Sequence, residues 1–175
     1  SPRVVEPTGE RQSSAVWRPG IVLLIDHIAR RHLEGADLPE PGAVRVLDLL
    51  GESILVARTS QGKLVAHYNV CRHRGAQLAP SDGPAAGHVR SLLRCPYHAW
   101  AYALDGQLRH SPWVDDVERD EFGLYEVAVD VWGAFVFVHL EPRDAPPLHE
   151  QLGAAVERCA RYPLGDLRRG GQVTY

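Results

Sequence analysis

CRHRG (residues 71–75) and CPYHAW (residues 95–100) each pair one cysteine with one histidine, the first as C-x-H and the second as C-x-x-H. Twenty-one residues separate His73 from Cys95. Thiolate and imidazole both ligate borderline and soft metals, so two such pairs predict a four-ligand metal site. In structural zinc sites the two cysteines usually share one short clip and the two histidines another. Here each clip is mixed. That arrangement suits a two-metal cluster in which one iron takes both thiolates and the other both imidazoles, each loop giving one ligand to each iron. A zinc ion held by all four residues and chance placement are the alternatives.

Around the clips the pattern is that of short strands. AVRVLDLLG (43–51), SILVARTS (53–60) and KLVAHYNV (63–70) are successive β-like runs, with SQG (60–62) as a turn between the last two. A loop, PSDGPAAG (80–87), lies between the clips, and Asp105-Gly106 is a hairpin signal after the second. LYEVAVDVWGAFVFVHL (124–140) predicts two strands broken near Gly133. On the flanks, IVLLIDHIARRHL (21–33) spaces Leu24, Ile25, Ile28 and Leu33 as a helix does, and its basic residues come late. PPLHEQLGAAVERCARY (146–162) places Leu148, Leu152, Val156 and Cys159 on one face behind two prolines, a second helix. The expected fold is mainly β, small antiparallel sheets with two cluster-binding loops between helical flanks. The segments are 1–37 (with the helix about 21–33), 38–140 as the cluster domain, and 141–175 as linker and helix.

Composition narrows the function classes. The 175 residues, 45% hydrophobic and 23% charged, suit one globular domain with flanking structure. A net charge of −3 offers no field for nucleic acid or an acidic membrane surface. The longest apolar stretch, VWGAFVFVHL (131–140), is too short to span a bilayer, and SPRVVEPTGERQ has no apolar signal-peptide core. Cys71, Cys95 and Cys159 make an odd count, a poor basis for a disulfide framework, so a reducing, cytoplasmic setting is expected.

CRHRG with CPYHAW, preceded by HYNV and followed by YALDGQL, resembles the N-terminal Rieske [2Fe–2S] domain of Rieske non-heme iron oxygenase α subunits, the ring-hydroxylating dioxygenase family. LPEPGAVRV (38–46) and VWGAFVFVHL extend the resemblance, which runs over about 38–165. It implies that Cys71 and Cys95 bind one iron and His73 and His98 the other. It also implies that Trp100 shields the cluster, that Arg74 and Gly75 shape its loop, and that Tyr97 lies near it. For Trp100 and Tyr97, ordinary aromatic packing is the competing reading. Respiratory Rieske proteins carry an extra cysteine in each clip, forming a disulfide. The corresponding positions here are Ala76 and Tyr97, which favours the lower-potential oxygenase or ferredoxin type within the roughly −150 to +300 mV range.

Such a centre is expected to pass single electrons without activating oxygen, with electron uptake linked to protonation of an imidazole. The resemblance implies an electron relay from a ferredoxin or flavin reductase to a mononuclear Fe(II) that hydroxylates a small organic substrate with O2. That iron, held by two histidines and a carboxylate, belongs to a C-terminal catalytic domain of the same or a neighbouring subunit in a homotrimer. No histidine follows His149, so the segment alone is expected not to hydroxylate. A stand-alone Rieske ferredoxin is the runner-up and a structural zinc module the third reading. Asp26, His27 and His32 imitate a histidine–carboxylate iron set, but a five-residue spacing places the histidines off one helical face. His67, His88, His110, His139 and His149 are expected at the surface or core edge, and Cys159 as a buried small hydrophobe.

Overall fold

The computed structural model describes residues 22–24, 38, 40–49, 51–80, 89, 92–143 and 145–167. Nine strands lie among them: β1 (Val22–Leu24), β2 (Val44–Leu49), β3 (Glu52–Arg58), β4 (Leu64–Tyr68), β5 (Leu92–Arg94), β6 (Ala101–Ala103), β7 (Leu108–His110), β8 (Glu126–Trp132) and β9 (Phe135–His139). They form a six-stranded sheet in the order β1-β9-β8-β4-β3-β2 and a three-stranded sheet β5-β6-β7. Every pairing is antiparallel. The mainly β expectation holds.

β3 shows why the sequence folds this way. Its run Ile54-Leu55-Val56-Ala57 is buried on both faces. Alternation along a strand sends Ile54 and Val56 to one side and Leu55 and Ala57 to the other. Ile54 and Val56 pack with Leu38, Ala66, Val127 and Val138. Leu55 and Ala57 pack with Cys71, Cys95, Trp100 and Tyr102, so the second core is the floor of the two clips. The turns match their signals. At Ser60–Gly62 the Lys63 carbonyl accepts from the Thr59 N–H at 2.8 Å, and at Asp105-Gly106 the Gly106 N–H donates to Ala103 O at 2.9 Å. β8 and β9 meet at Gly133–Ala134, the predicted break.

Two flank expectations need correction. At the start of the segment 21–33 the chain is a strand, β1, paired with β9 through Val22↔Val138 and Leu24↔Val136. A short apolar run satisfies either period, and pairing with β9 satisfies backbone groups that the sequence cannot allocate. Residues 25–33, with Asp26, His27 and His32, lie outside the described residues, as do residues 81–88 with His88. The helix expected over 146–162 is two short ones, α1 (Leu148–Leu152) and α2 (Ala154–Cys159), separated by Gly153 at φ 48°. Glycine is a poor helix-interior residue and readily takes that backbone shape. Only Leu148 of the intended apolar face is buried, and Cys159 is half-exposed rather than interior.

Candidate metal centre

The second clip is the turn of the β5–β6 hairpin, flanked by the pair Arg94↔Ala101. The first leaves the end of β4. Despite different spacings they are built alike. The Cys71 carbonyl accepts from the Gly75 N–H at 2.9 Å, and the Cys71 N–H donates to Ala76 O at 2.8 Å. The Cys95 carbonyl accepts from the Ala99 N–H at 3.1 Å, and the Cys95 N–H donates to Trp100 O at 2.7 Å. In both loops the fifth residue has a left-handed backbone, Gly75 at φ 71° and Ala99 at φ 56°. For alanine that shape costs about 1–2 kcal/mol. The spacing of CPYHAW alone did not signal it.

The four predicted ligands come together as two pairs. Cys71 and Cys95 are 2% and 3% exposed, and the Cys95 side chain lies close enough to act on the Cys71 thiol. The His73 and His98 rings have centroids 4.6 Å apart at 73°. Among the described residues, no three His, Cys, Asp or Glu side chains gather closely enough to hold one ion. A two-iron cluster of the mixed type needs a thiol pair and an imidazole pair. The Nδ1 atoms of His73 and His98 are buried with no hydrogen-bond partner among the described residues. Buried nitrogens are normally paired, so two adjacent orphans suit metal ligation.

The surroundings reinforce this. Trp100, 2% exposed, stacks on His73 with centroids 4.9 Å apart and planes 7° apart, and Phe122 meets Trp100 edge-on at 5.7 Å. Tyr97 is 62% exposed but lies 3.7 Å from the His98 ring. Tyr102 is fully buried, its hydroxyl 3.3 Å from Cys71 Sγ and accepting from the Arg72 N–H at 3.1 Å. Arg74 is exposed beside His73. Asn69 pins the exit of the first clip, its Oδ1 accepting from the Leu78 and Ala79 N–H groups at 3.1 Å and its Nδ2 donating to Ala79 O at 2.7 Å. Sequence reading missed Arg72, Tyr102 and Phe122. Their partners lie in loops distant in sequence and leave no local spacing signal. Asn69 stood only within the HYNV match.

Electrostatics suit ligation after metal entry. Burial pushes the Cys71 thiol up, opposed by the Tyr102 hydroxyl and the His73 backbone N–H and reinforced by Cys95. The Cys71 thiol is therefore held protonated. Burial, then His98 and Arg74, hold His73 below the usual imidazole range, in the neutral form that binds metal. All three cysteines are free, and Ala76 and Tyr97 stand where a disulfide brace would need cysteines.

His67 is a different case. It is 3% exposed rather than at the surface, with Nε2 3.3 Å from Leu104 O and Nδ1 unpartnered among the described residues. Burial lowers its pKa, against raising contributions from the Leu104 carbonyl, Glu126 and Asp105. In the unfolded chain it titrates near 6.5, as free imidazole does. The unfolded state thus binds this proton first, so the stability His67 contributes is complete above about pH 6.5 and lost as pH falls toward the lower folded value. Thermal melts from pH 8 to 5 should show a falling midpoint, and His67→Gln should flatten that fall. A parallel slope in both proteins would refute the assignment.

Sheet order, paired clips and orphaned imidazole nitrogens are the features that an iron–sulfur protein of the mixed cysteine–histidine type requires. The chain belongs to the Rieske [2Fe-2S] domain family, which it matches over residues 31–124. It is 38% identical over 134 residues to the carnitine monooxygenase oxygenase subunit of Escherichia coli (strain K12), covering 73% of this chain and 34% of that one. It is 37% identical over 135 residues to the glycine betaine monooxygenase oxygenase subunit of Chromohalobacter salexigens, covering 75% and 29%. Among solved structures it is similar to a quaternary ammonium Rieske monooxygenase in complex with L-carnitine, with TM-score 0.67, 28% identity and coverage of 77% and 38%. It is also similar to naphthalene 1,2-dioxygenase with indole bound, with TM-score 0.65, 27% identity and coverage of 79% and 30%. The chain spans about a third of the length of these curated relatives. Among the described residues no helix is long and apolar enough to cross a membrane.

Proposed function

We propose that Cys71 and Cys95 hold one iron of a [2Fe–2S] cluster, that His73 and His98 hold the other, and that residues 38–140 form an electron-relay domain of a cytoplasmic oxygenase. When bound, the cluster supplies a one-electron store. The chain's own residues do the rest. Cys71 and Cys95 sit in the buried floor, and His73 and His98 sit half-exposed toward the surface. Trp100 covers one face of His73 and keeps water from it, and Tyr102 is placed to donate to the Cys71 sulfur. The observation carrying this reading is the pair of buried, unpartnered Nδ1 atoms beside a buried thiol pair.

The relay would run from a ferredoxin or flavin reductase to a mononuclear iron in the catalytic portion of the same or a neighbouring subunit, in a homotrimer. One similar solved structure is described as informing inter-subunit electron transfer, which supports the neighbouring subunit. The carnitine and glycine betaine relatives favour a small quaternary ammonium compound as the whole protein's substrate. Oxygenase subunits among the relatives, and α1 with α2 after β9, support an oxygenase portion over a stand-alone ferredoxin. Electron uptake tests the reading. Anaerobic dithionite titration should bleach the purified chain after about one electron per cluster. His73→Ala should abolish the reducible chromophore. Unchanged reduction in that variant would remove His73 from the centre.

A further inference from the structure

We infer that Arg72, the residue between the two proposed ligands of the first clip, is a positioning residue that clamps the two clips together and stabilises the reduced centre. This rests on the reading of the site as a [2Fe–2S] centre. Arg72 Nη1 donates to Gly123 O at 2.7 Å, and its guanidinium carbon lies 4.0 Å from the Tyr125 ring centroid and 5.9 Å from that of Phe122. Phe122 packs on Trp100, which stacks on His73, the residue after Arg72. The contacts close a ring: first clip, segment 122–125, second clip, and back to the first. At its other end Arg72 gives its backbone N–H to the Tyr102 hydroxyl beside Cys71. The main chain and the side chain of one residue therefore secure both sides of the first clip.

The charge matters as much as the geometry. Guanidinium stays protonated at all working pH values and stacks on aromatic faces, which lysine does poorly. A fixed positive charge favours the state with one more electron, and a half-buried charge is screened less than an exposed one. Arg72 is half-buried and Arg74 exposed, one on each side of His73 in sequence. The charge of Arg74 reaches His73, and that of Arg72, turned toward Gly123 O and the Tyr125 ring, is the less screened of the two.

The test compares Arg72→Gln, Arg72→Lys and Arg74→Gln in the iron-loaded protein by spectroelectrochemical titration and EPR of the reduced form. Arg72→Gln and Arg74→Gln should each move the midpoint to a more negative potential. Arg72→Lys should keep most of the potential yet broaden the EPR lines, because charge is retained while the fork and the ring stack are lost. Should Arg72→Gln fail to load, Arg72→Lys and Tyr125→Leu decide. Broadened spectra and a lower melting midpoint in both support the clamp, and parental spectra and midpoints in both overturn it. An unshifted midpoint in Arg72→Gln overturns the electrostatic half. A parent chain without a reducible cluster would instead overturn the reading of the site, a separate outcome.

Discussion

Cys71→Ala is expected to purify without iron–sulfur colour and to melt well below the parent. Cys71 is one of two thiols in the buried floor of the clips, and its sulfur lies 3.3 Å from the Tyr102 hydroxyl. Where a metal site exists only in the folded chain, binding free energy becomes folding free energy, about 10 kcal/mol or more for small zinc domains. The loss should therefore exceed the roughly 2–5 kcal/mol of an ordinary core truncation. Cys159→Ala is the control. That thiol is half-exposed on α2, remote in sequence from the clips, and its removal should leave colour and midpoint unchanged. Visible absorbance, iron content and calorimetry of the three proteins check this. Retained colour in Cys71→Ala would contradict the ligand assignment.

Gly106→Ala should cost about 3 kcal/mol, the sum of a left-handed backbone penalty of about 1–2 and an overpacking penalty of about 1–3. Gly106 has φ 87°, and a Cβ there would lie 2.5 Å from His67 Cε1 and 3.0 Å from Nδ1. His67 is buried, so its ring has little room to yield. The Gly106 carbonyl also accepts from the Leu124 N–H at 2.8 Å, joining the hairpin to the segment that carries Phe122 and Tyr125. At about 2–4 °C per kcal/mol for a chain of this size, the melting midpoint should fall by roughly 6–12 °C. The double variant with His67→Ala should lose less than the sum of the single losses, because the steric clash is shared. Strict additivity would argue against the clash.

These cases show which parts of the protein were legible from sequence. The clips were legible because ligand chemistry sits in short spacings, as were Ser60–Gly62, Asp105-Gly106 and the Gly133 break, where turn chemistry is local. β1 was not, since Val22–Leu24 become a strand only through β9, more than a hundred residues away. The apolar spacing of 146–162 predicts one helix, and Gly153 divides it into α1 and α2. A polar imidazole predicts the surface or core edge for His67, yet β4 turns it inward toward the Asp105-Gly106 turn. Tyr102 and Arg72 act through partners about 30 and 50 residues away, separations that no spacing rule records.

The central claim, that two mixed clips hold a two-iron cluster and not a single ion, is tested most directly by metal and sulfide analysis with low-temperature EPR of the anaerobically purified chain. The expected result is two irons and two acid-labile sulfides per chain, and a reduced signal with average g below the free-electron value. A colourless chain with one zinc and no sulfide would contradict it.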